Sequence, residues 1–346
     1  MRRGIPMANW MIYGANGYTG ELIAREAAQR GQHPIVAGRN VERVNALASE
    51  LGCEARVFDL DRVDLSAVSL VLHCAGPFVH TSKPMVKACL AAGVHYLDIT
   101  GEIGVFEAIF RRDAEAKERG VTLLPGVGFD VVPTDCLAAM LHAELPDATE
   151  LWLAFSMRNG GVSRGTLKTM IEGAGRGGAI RRNGKIEVVP QLFDVRSIPF
   201  RSGPRMAMTI PWGDVSTAFH TTGIPNIRVY SSQSPRALRR MRLMRPFLLL
   251  LRIGALRRLA QKYADRRSGP SESQRATARI ELWGRAVNAQ GNEVTKTMSV
   301  AEGYNFTVLS ALAAVERVLA APKPGAFTPA KFFGARFVTE IPGTEL

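Results

Sequence analysis

Trp10-Met11-Ile12-Tyr13-Gly14-Ala15-Asn16-Gly17-Tyr18-Thr19-Gly20 decides the fold class. Four apolar residues come first, the length of a short buried strand. Three glycines at GxxGxxG spacing follow, and then Glu21 to Arg30 with Leu22, Ile23, Ala27 and Ala28 repeating at helical spacing. A strand, a glycine turn and a helix in that order form the dinucleotide-binding fingerprint when they open an alternating β/α array. Each glycine has its own task. Gly14 permits the tight turn, Gly17 lets the backbone approach a pyrophosphate, and Gly20 lets the helix pack close to the strand. The helix start presents unbonded N–H groups and a positive dipole end to the phosphates. Asn16, Tyr18 and Thr19 stand between the glycines and complete the candidate loop. The competing reading is a turn that needs glycine only for its bend, and the position at the head of an alternating array weighs against it.

The alternation continues outward from this loop. Residues 34–37, 56–58, 70–74, 95–99 and 121–124 read as strands. Residues 41–51, with Asn40 as N-cap, and then 83–92 and 105–119 read as helices. This pattern predicts an α/β chain whose N-terminal part is a Rossmann-type, doubly wound parallel sheet. After Pro146 the pattern changes. Strand-like stretches at 150–155, 186–189, 206–210, 227–230 and 278–286 follow one another without regular helices, punctuated by Gly and Pro. They predict a second, α+β, largely antiparallel domain. The expected boundaries are 1–146 for the dinucleotide domain, 147–302 for the substrate domain, and 303–346 for a helix near 305–321 and a tail that pack back on the first domain.

The loops after the strands carry the remaining candidates, because ligands in open α/β sheets bind beyond the carboxyl ends of strands. Arg39 stands where an NAD-preferring site carries an acid for the ribose 2′-hydroxyl, and a guanidinium there pairs with a 2′-phosphate instead. This predicts NADP(H) over NAD(H). Asp59 is a candidate for the adenine amino group, or else caps its own turn. Ala75, Gly76 and Pro77 form a small-residue turn that allows close approach of the nicotinamide ribose. For a proton donor, His80 and His220 are the candidates, since imidazole titrates nearest neutrality. Asp98, Asp130 and Asp135 cluster after the fifth and sixth strands, with Asp98 expected to be structural.

Composition narrows the classes. The 346 residues are 46% hydrophobic and 22% charged with a mean hydropathy of +0.01, which fits a globular chain with a sizeable core. No apolar run is long enough for a transmembrane helix, and no apolar stretch precedes the first strand as a secretory signal would. Met7 offers a second start. Cys53, Cys74, Cys89 and Cys136 form no CxxC pair and no Cys/His cluster with zinc spacing, so no metal is expected and a reducing, cytoplasmic setting is. There is no GxSxG elbow, HExxH or EF-hand loop, so hydrolase and metalloenzyme readings have no support.

Several stretches together carry a family resemblance: Gly14–Gly20, Ala37–Asn40, His73–Glu102, Pro125–Asp135, Pro211–Tyr230 and Gly325–Val338. The chain resembles the saccharopine dehydrogenase-like oxidoreductases, and within them the shorter members that include trans-acting enoyl reductases. The resemblance implies a Rossmann domain, a second α+β domain, NADP(H) as cofactor, and hydride transfer to a C=C, C=N or C=O group. It leaves the substrate open, with a lipid or acyl compound among the classes. The alternative is a non-catalytic NADP-binding protein acting at a membrane surface or on a partner enzyme.

The net charge of +13 first suggests nucleic acid, but its distribution does not. Residues 236–267 hold eleven Arg/Lys against one acid, Asp265, and so carry most of it. Residues 244–259 are an apolar centre flanked by arginines, too short to span a bilayer. The centre suits a helix lying at a membrane surface, a helix buried on its own domain, or a homodimer contact. Apart from Phe247 it lacks the stacking aromatics that single-stranded nucleic acid requires, so the expected partners are a small-molecule substrate and no nucleic acid.

Overall fold

The computed structural model describes residues 9–157, 163–174, 177–248, 256, 258–260 and 271–346. The chain divides into two compact units: one of residues up to Thr100 with Gly104–Gly128 and Thr307–Phe327, the other of Gly101–Ile103, Phe129–Phe306 and Thr328–Leu346.

The first unit is built on β1 (Trp10–Tyr13), β2 (Ile35–Gly38), β3 (Ala55–Val57), β4 (Leu70–His73), β5 (His95–Asp98), β6 (Thr122–Leu124) and β15 (Gly325–Ala326). They form one parallel sheet in the order β15-β6-β5-β4-β1-β2-β3. Every residue of β1, β2 and β4 is buried, as befits strands covered on both faces. The sheet builds outward in both directions from β1, so its switch point lies between β1 and β4, where the β1–α1 and β4–α3 loops meet. The Rossmann-type sheet read from the alternation is therefore present.

Helix α1 (Tyr18–Gln29) starts earlier than its apolar periodicity, because Gly17 is its extended N-cap. Helix α2 (Val41–Leu51) has the expected cap: Asn40 Oδ1 accepts from Arg43 N at 2.8 Å. Helix α3 (Phe78–Ala92) begins five residues before its expected start, directly after Pro77, and takes Pro84 into its interior. The single helix expected over 105–119 is two, α4 (Ile103–Phe110) and α5 (Asp113–Glu118).

The second unit holds an eight-stranded sheet. Its strands are β7 (Ala148–Met157), β8 (Gly178–Arg182), β9 (Lys185–Val189), β10 (Val195–Phe200), β11 (Gly203–Thr209), β12 (Asn226–Ser232), β13 (Arg279–Asn288) and β14 (Glu293–Ala301). The main path is β10-β11-β12-β7-β13-β14, with β8 on β12 and β9 on β8. All pairs are antiparallel except β12–β7. A parallel pair needs a long crossover, and residues 158–225, which end with α8 (Asp214–Thr222), supply it between β7 and β12. The expectation of strands without regular helices is thus corrected: α7 (Arg164–Ala174), α8 and α9 (Pro235–Leu248) lie among them.

The units differ from the boundaries read at 146 and 302. Helix α6 (Val132–Glu144) goes with the second unit, because its Leu137 and Leu141 fill the space that Gly284 on β13 leaves open. A Cβ on Gly284 would stand 2.7 Å from the Leu141 methyl. The helix Gly303–Ala320 passes into the first unit, where Ser310 Oγ donates to Val127 O at 2.8 Å, and β15 then extends that unit's sheet beside β6. The tail from Thr328 returns to the second unit, so only part of 303–346 packs on the first.

No described helix is long and apolar enough to cross a membrane. In the basic segment, residues 249–255, 257 and 261–267 lie outside the described residues, and with them most of the apolar centre. Among the described residues, no group of three or more His, Cys, Asp or Glu side chains could hold a metal ion.

Candidate cofactor site

The glycine loop brings backbone against backbone. Gly14 has φ +87°, a left-handed conformation costly for side chains, and a Cβ there would lie 2.8 Å from Ala75 N. The glycine therefore lets the β1–α1 loop rest directly against the β4–α3 loop. A Cβ on Gly20 would collide with Gly14 O, so α1 meets the strand at backbone distance. Gly17 N donates to Gly14 O at 3.0 Å, and the Gly17 N-cap carries no side-chain cap. The first turn of α1, Tyr18–Gly20, follows directly and points its N–H groups along the helix axis.

Neighbouring loops bring in the other predicted residues. Asn16 Oδ1 would lie 2.6 Å from a Cβ on Gly38, so its amide reaches across to the end of β2. Arg39 is the next residue and is exposed. Asp59, after β3, is exposed too, and its Oδ1 accepts from Leu60 N at 2.7 Å, which is the turn-capping role. Both charges are felt at the buried Tyr13 hydroxyl. Burial pushes its pKa up to about 12, the Asp59 charge adds to this, and the Arg39 charge opposes it. Ala75, Gly76 and Pro77 follow β4, with Gly76–Pro77 in the cis form and Ala75 O accepting from Thr81 Oγ1 at 2.7 Å. The predicted loop residues of the first unit thus gather at the carboxyl ends of β1, β2, β3 and β4.

The histidines do not share a unit. His80 is exposed in the first turn of α3, while His220 is half-buried in the last turn of α8, edge-on to Phe219 at 5.9 Å. Asp98 proves to be a loop organiser. Its Oδ1 accepts from Thr100 N at 3.0 Å and Gly126 N at 2.9 Å, and its Oδ2 from the Tyr96 hydroxyl at 2.8 Å. The second unit holds a set of raised carboxyls, Asp135 and Asp214 fully buried and Asp130 partly so. Burial and the Glu102 charge push Asp130 up to about 7. Burial pushes Asp135 up to about 6, against hydrogen bonds from Thr221 Oγ1 and Ala330 N. Asp214 is pushed well above the ordinary carboxylate range by burial despite the Thr134 hydroxyl at 2.8 Å. Sequence reading missed Asp214 as a perturbed acid, because only the packing of α6 on α8 buries it.

Residues 10–124 match the family model of the saccharopine dehydrogenase NADP binding domain. This stretch is similar to the saccharopine dehydrogenase NADP binding domain. The matched span runs from β1 to β6, and NADP is the cofactor that the family's description names. A trans-acting enoyl reductase of Mycobacterium tuberculosis is 30% identical over 188 residues, 47% of this chain and 43% of that protein. The saccharopine dehydrogenase-like oxidoreductase of Rattus norvegicus is 30% identical over 203 residues, 50% of this chain and 47% of that protein. The chain spans about half the length of these curated relatives. The fold is that of the apo saccharopine dehydrogenase (L-Glu forming) of Saccharomyces cerevisiae, with a TM-score of 0.60 at 12% identity, over 96% of this chain and 95% of that one.

Proposed function

We propose that this protein is an NADP(H)-dependent oxidoreductase that transfers hydride between the nicotinamide and a C=C, C=N or C=O group of a small-molecule substrate. The observation that carries the reading is the match to the NADP binding domain, with the Gly14–Gly20 turn opening α1 and Arg39 directly after β2. Bound NADPH would supply the hydride, and the chain's own residues would orient it and provide one proton. Gly14, Asn16, Gly17, Tyr18, Thr19 and Gly20 would hold the pyrophosphate, with Arg39 on the 2′-phosphate and Asp59 beside the adenine. Ala75, Gly76 and Pro77 would meet the nicotinamide ribose.

Three groups compete as proton donor. His80 and His220 are the imidazole candidates. Asp130 joins them because burial and Glu102 bring its carboxyl to about 7, where an acid both holds and releases a proton near neutral pH. A lipid or acyl substrate is favoured by the enoyl reductase among the relatives. A peripheral membrane contact or a homodimer through 244–259, and a cytoplasmic setting, belong to the same proposal.

The test is NADPH oxidation against a panel of enoyl, imine and keto substrates. Turnover of one class identifies the reaction. Tight NADPH binding with no turnover across the panel would replace the proposal with the non-catalytic NADP-binding reading.

A further inference from the structure

His73 closes β4 in register with Tyr13 of β1 and Asp98 of β5, immediately before the Cys74–Pro77 loop. Its side chain is fully buried. The ring lies stacked on Tyr13 at 5.5 Å and 15°, with the edge of Phe78 at 5.4 Å and Tyr96 at 6.0 Å. Burial pushes its pKa down to about 3, so the ring is neutral and carries one N–H. Nε2 is 3.0 Å from Thr81 Oγ1. The Thr81 hydroxyl has a single hydrogen, and its acceptors are Ala75 O at 2.7 Å and Pro77 O at 3.3 Å. A hydroxyl committed to those carbonyls can only accept from the ring, so the imidazole hydrogen is assigned to Nε2. Nδ1 then remains a bare, buried acceptor with no hydrogen-bond partner among the described residues. A phenyl ring would leave no orphaned ring nitrogen in this pocket, but it would lose the Nε2–H donated to Thr81.

We propose that His73, acting through Thr81, is a positioning residue for the nicotinamide half of NADP(H). The Nε2–H···Oγ1–H···O=C chain sets the orientation of the Ala75 carbonyl, and with it the loop surface that receives the nicotinamide ribose. The inference rests on the reading of Ala75, Gly76 and Pro77 as a cofactor contact. Gly14 connects the two loops, since it leaves no Cβ between itself and Ala75. A loop held from below by Thr81 thus stays in register with the pyrophosphate turn.

The experiment is calorimetry of the full chain with two ligands, NADPH and adenosine 2′,5′-bisphosphate, which keeps the adenine and the 2′-phosphate but lacks the nicotinamide. His73→Phe keeps the ring stack and removes the donor, Thr81→Val removes the hydroxyl, and Thr81→Ser retains it. We expect His73→Phe and Thr81→Val to bind NADPH about tenfold more weakly, the worth of one hydrogen bond, and the bisphosphate as wild type does. Thr81→Ser should restore NADPH binding. Nitrogen-15 spectra of the wild-type imidazole should show the Nε2–H tautomer, unchanged across the neutral pH range. Unaltered NADPH binding in both variants, equal loss of both ligands, or an Nδ1–H tautomer overturns the inference. A wild-type protein that binds neither ligand overturns the cofactor reading and this inference with it, whereas binding that the variants leave intact overturns the inference alone.

Discussion

Arg39 is the residue on which cofactor choice turns. It follows the last residue of β2, is exposed, and shares its end of the sheet with the Asn16 amide. Pairing a guanidinium with a 2′-phosphate is a charge-assisted contact worth roughly 1.5–3 kcal/mol. Arg39→Ala should therefore weaken NADPH by about ten- to a hundredfold and leave NADH nearly unchanged, read by titration of both cofactors. Equal affinities in the wild type would remove the preference. Gly14 provides a second test at this scale. With φ +87° and Ala75 N within 2.8 Å of a hypothetical Cβ, Gly14→Ala meets backbone strain and a backbone collision together. It should abolish NADPH binding while Gly31→Ala, at φ +73° with nothing within 4 Å, leaves it intact. Both positions were legible from the glycine spacing and the strand before it. The turn-capping bond of Asp59 was legible only as one of two alternatives, because a carboxylate one residue past a strand serves a turn or a ligand equally well.

At the scale of elements, α6 and α8 bring together acids that no pattern of neighbours along the chain reveals. Asp135 accepts from Thr221 on α8 and from Ala330 of the short helix Pro329–Phe333, while Asp214 accepts from Thr134 on α6. Asp135 is raised to about 6 in the folded protein, above its unfolded value. The folded state then holds more protons than the unfolded state between about pH 4 and 6, so stability falls as pH rises through that window. Asp135→Asn keeps an acceptor for Ala330 N and a polar partner for Thr221. It should flatten this part of the stability profile and raise stability at pH 7 by roughly 2–3 kcal/mol. Urea denaturation followed by tryptophan fluorescence checks it, since Trp152, Trp212 and Trp283 all lie in the second unit. A variant with the wild-type pH slope would refute the assignment. The proton donor is a question of the same scale, because His80 rides on α3 and His220 on α8. Single-turnover hydride transfer should fall at least tenfold in the variant that removes the acid, among His80→Ala, His220→Ala and Asp130→Asn. Rates unchanged in all three would exclude each of them.

For the molecule as a whole, charge is concentrated along the chain, with most of the basicity between residues 236 and 267. Leu243 is 75% and Met244 44% exposed on α9, so apolar surface stands among its arginines. The full chain should float with anionic vesicles at low salt and detach as salt rises, with no flotation on neutral vesicles. Flotation that is absent or indifferent to salt removes the membrane reading. The parallel sheet, its strand count up to β6 and the nucleotide loop could be read directly, because local rules write them: apolar runs for strands buried on both faces, glycines where a backbone must come close, and an N-cap at Asn40. The assignment of α6 and of the tail after Thr328 to the second unit, the parallel β12–β7 pair, and the raised acids at 130, 135 and 214 could not. They depend on which apolar faces find each other across long separations, as Leu137 and Leu141 find Gly284, and on the loss of water when they do. Burial is a property of the folded neighbourhood and leaves no trace in the residues on either side of an aspartate.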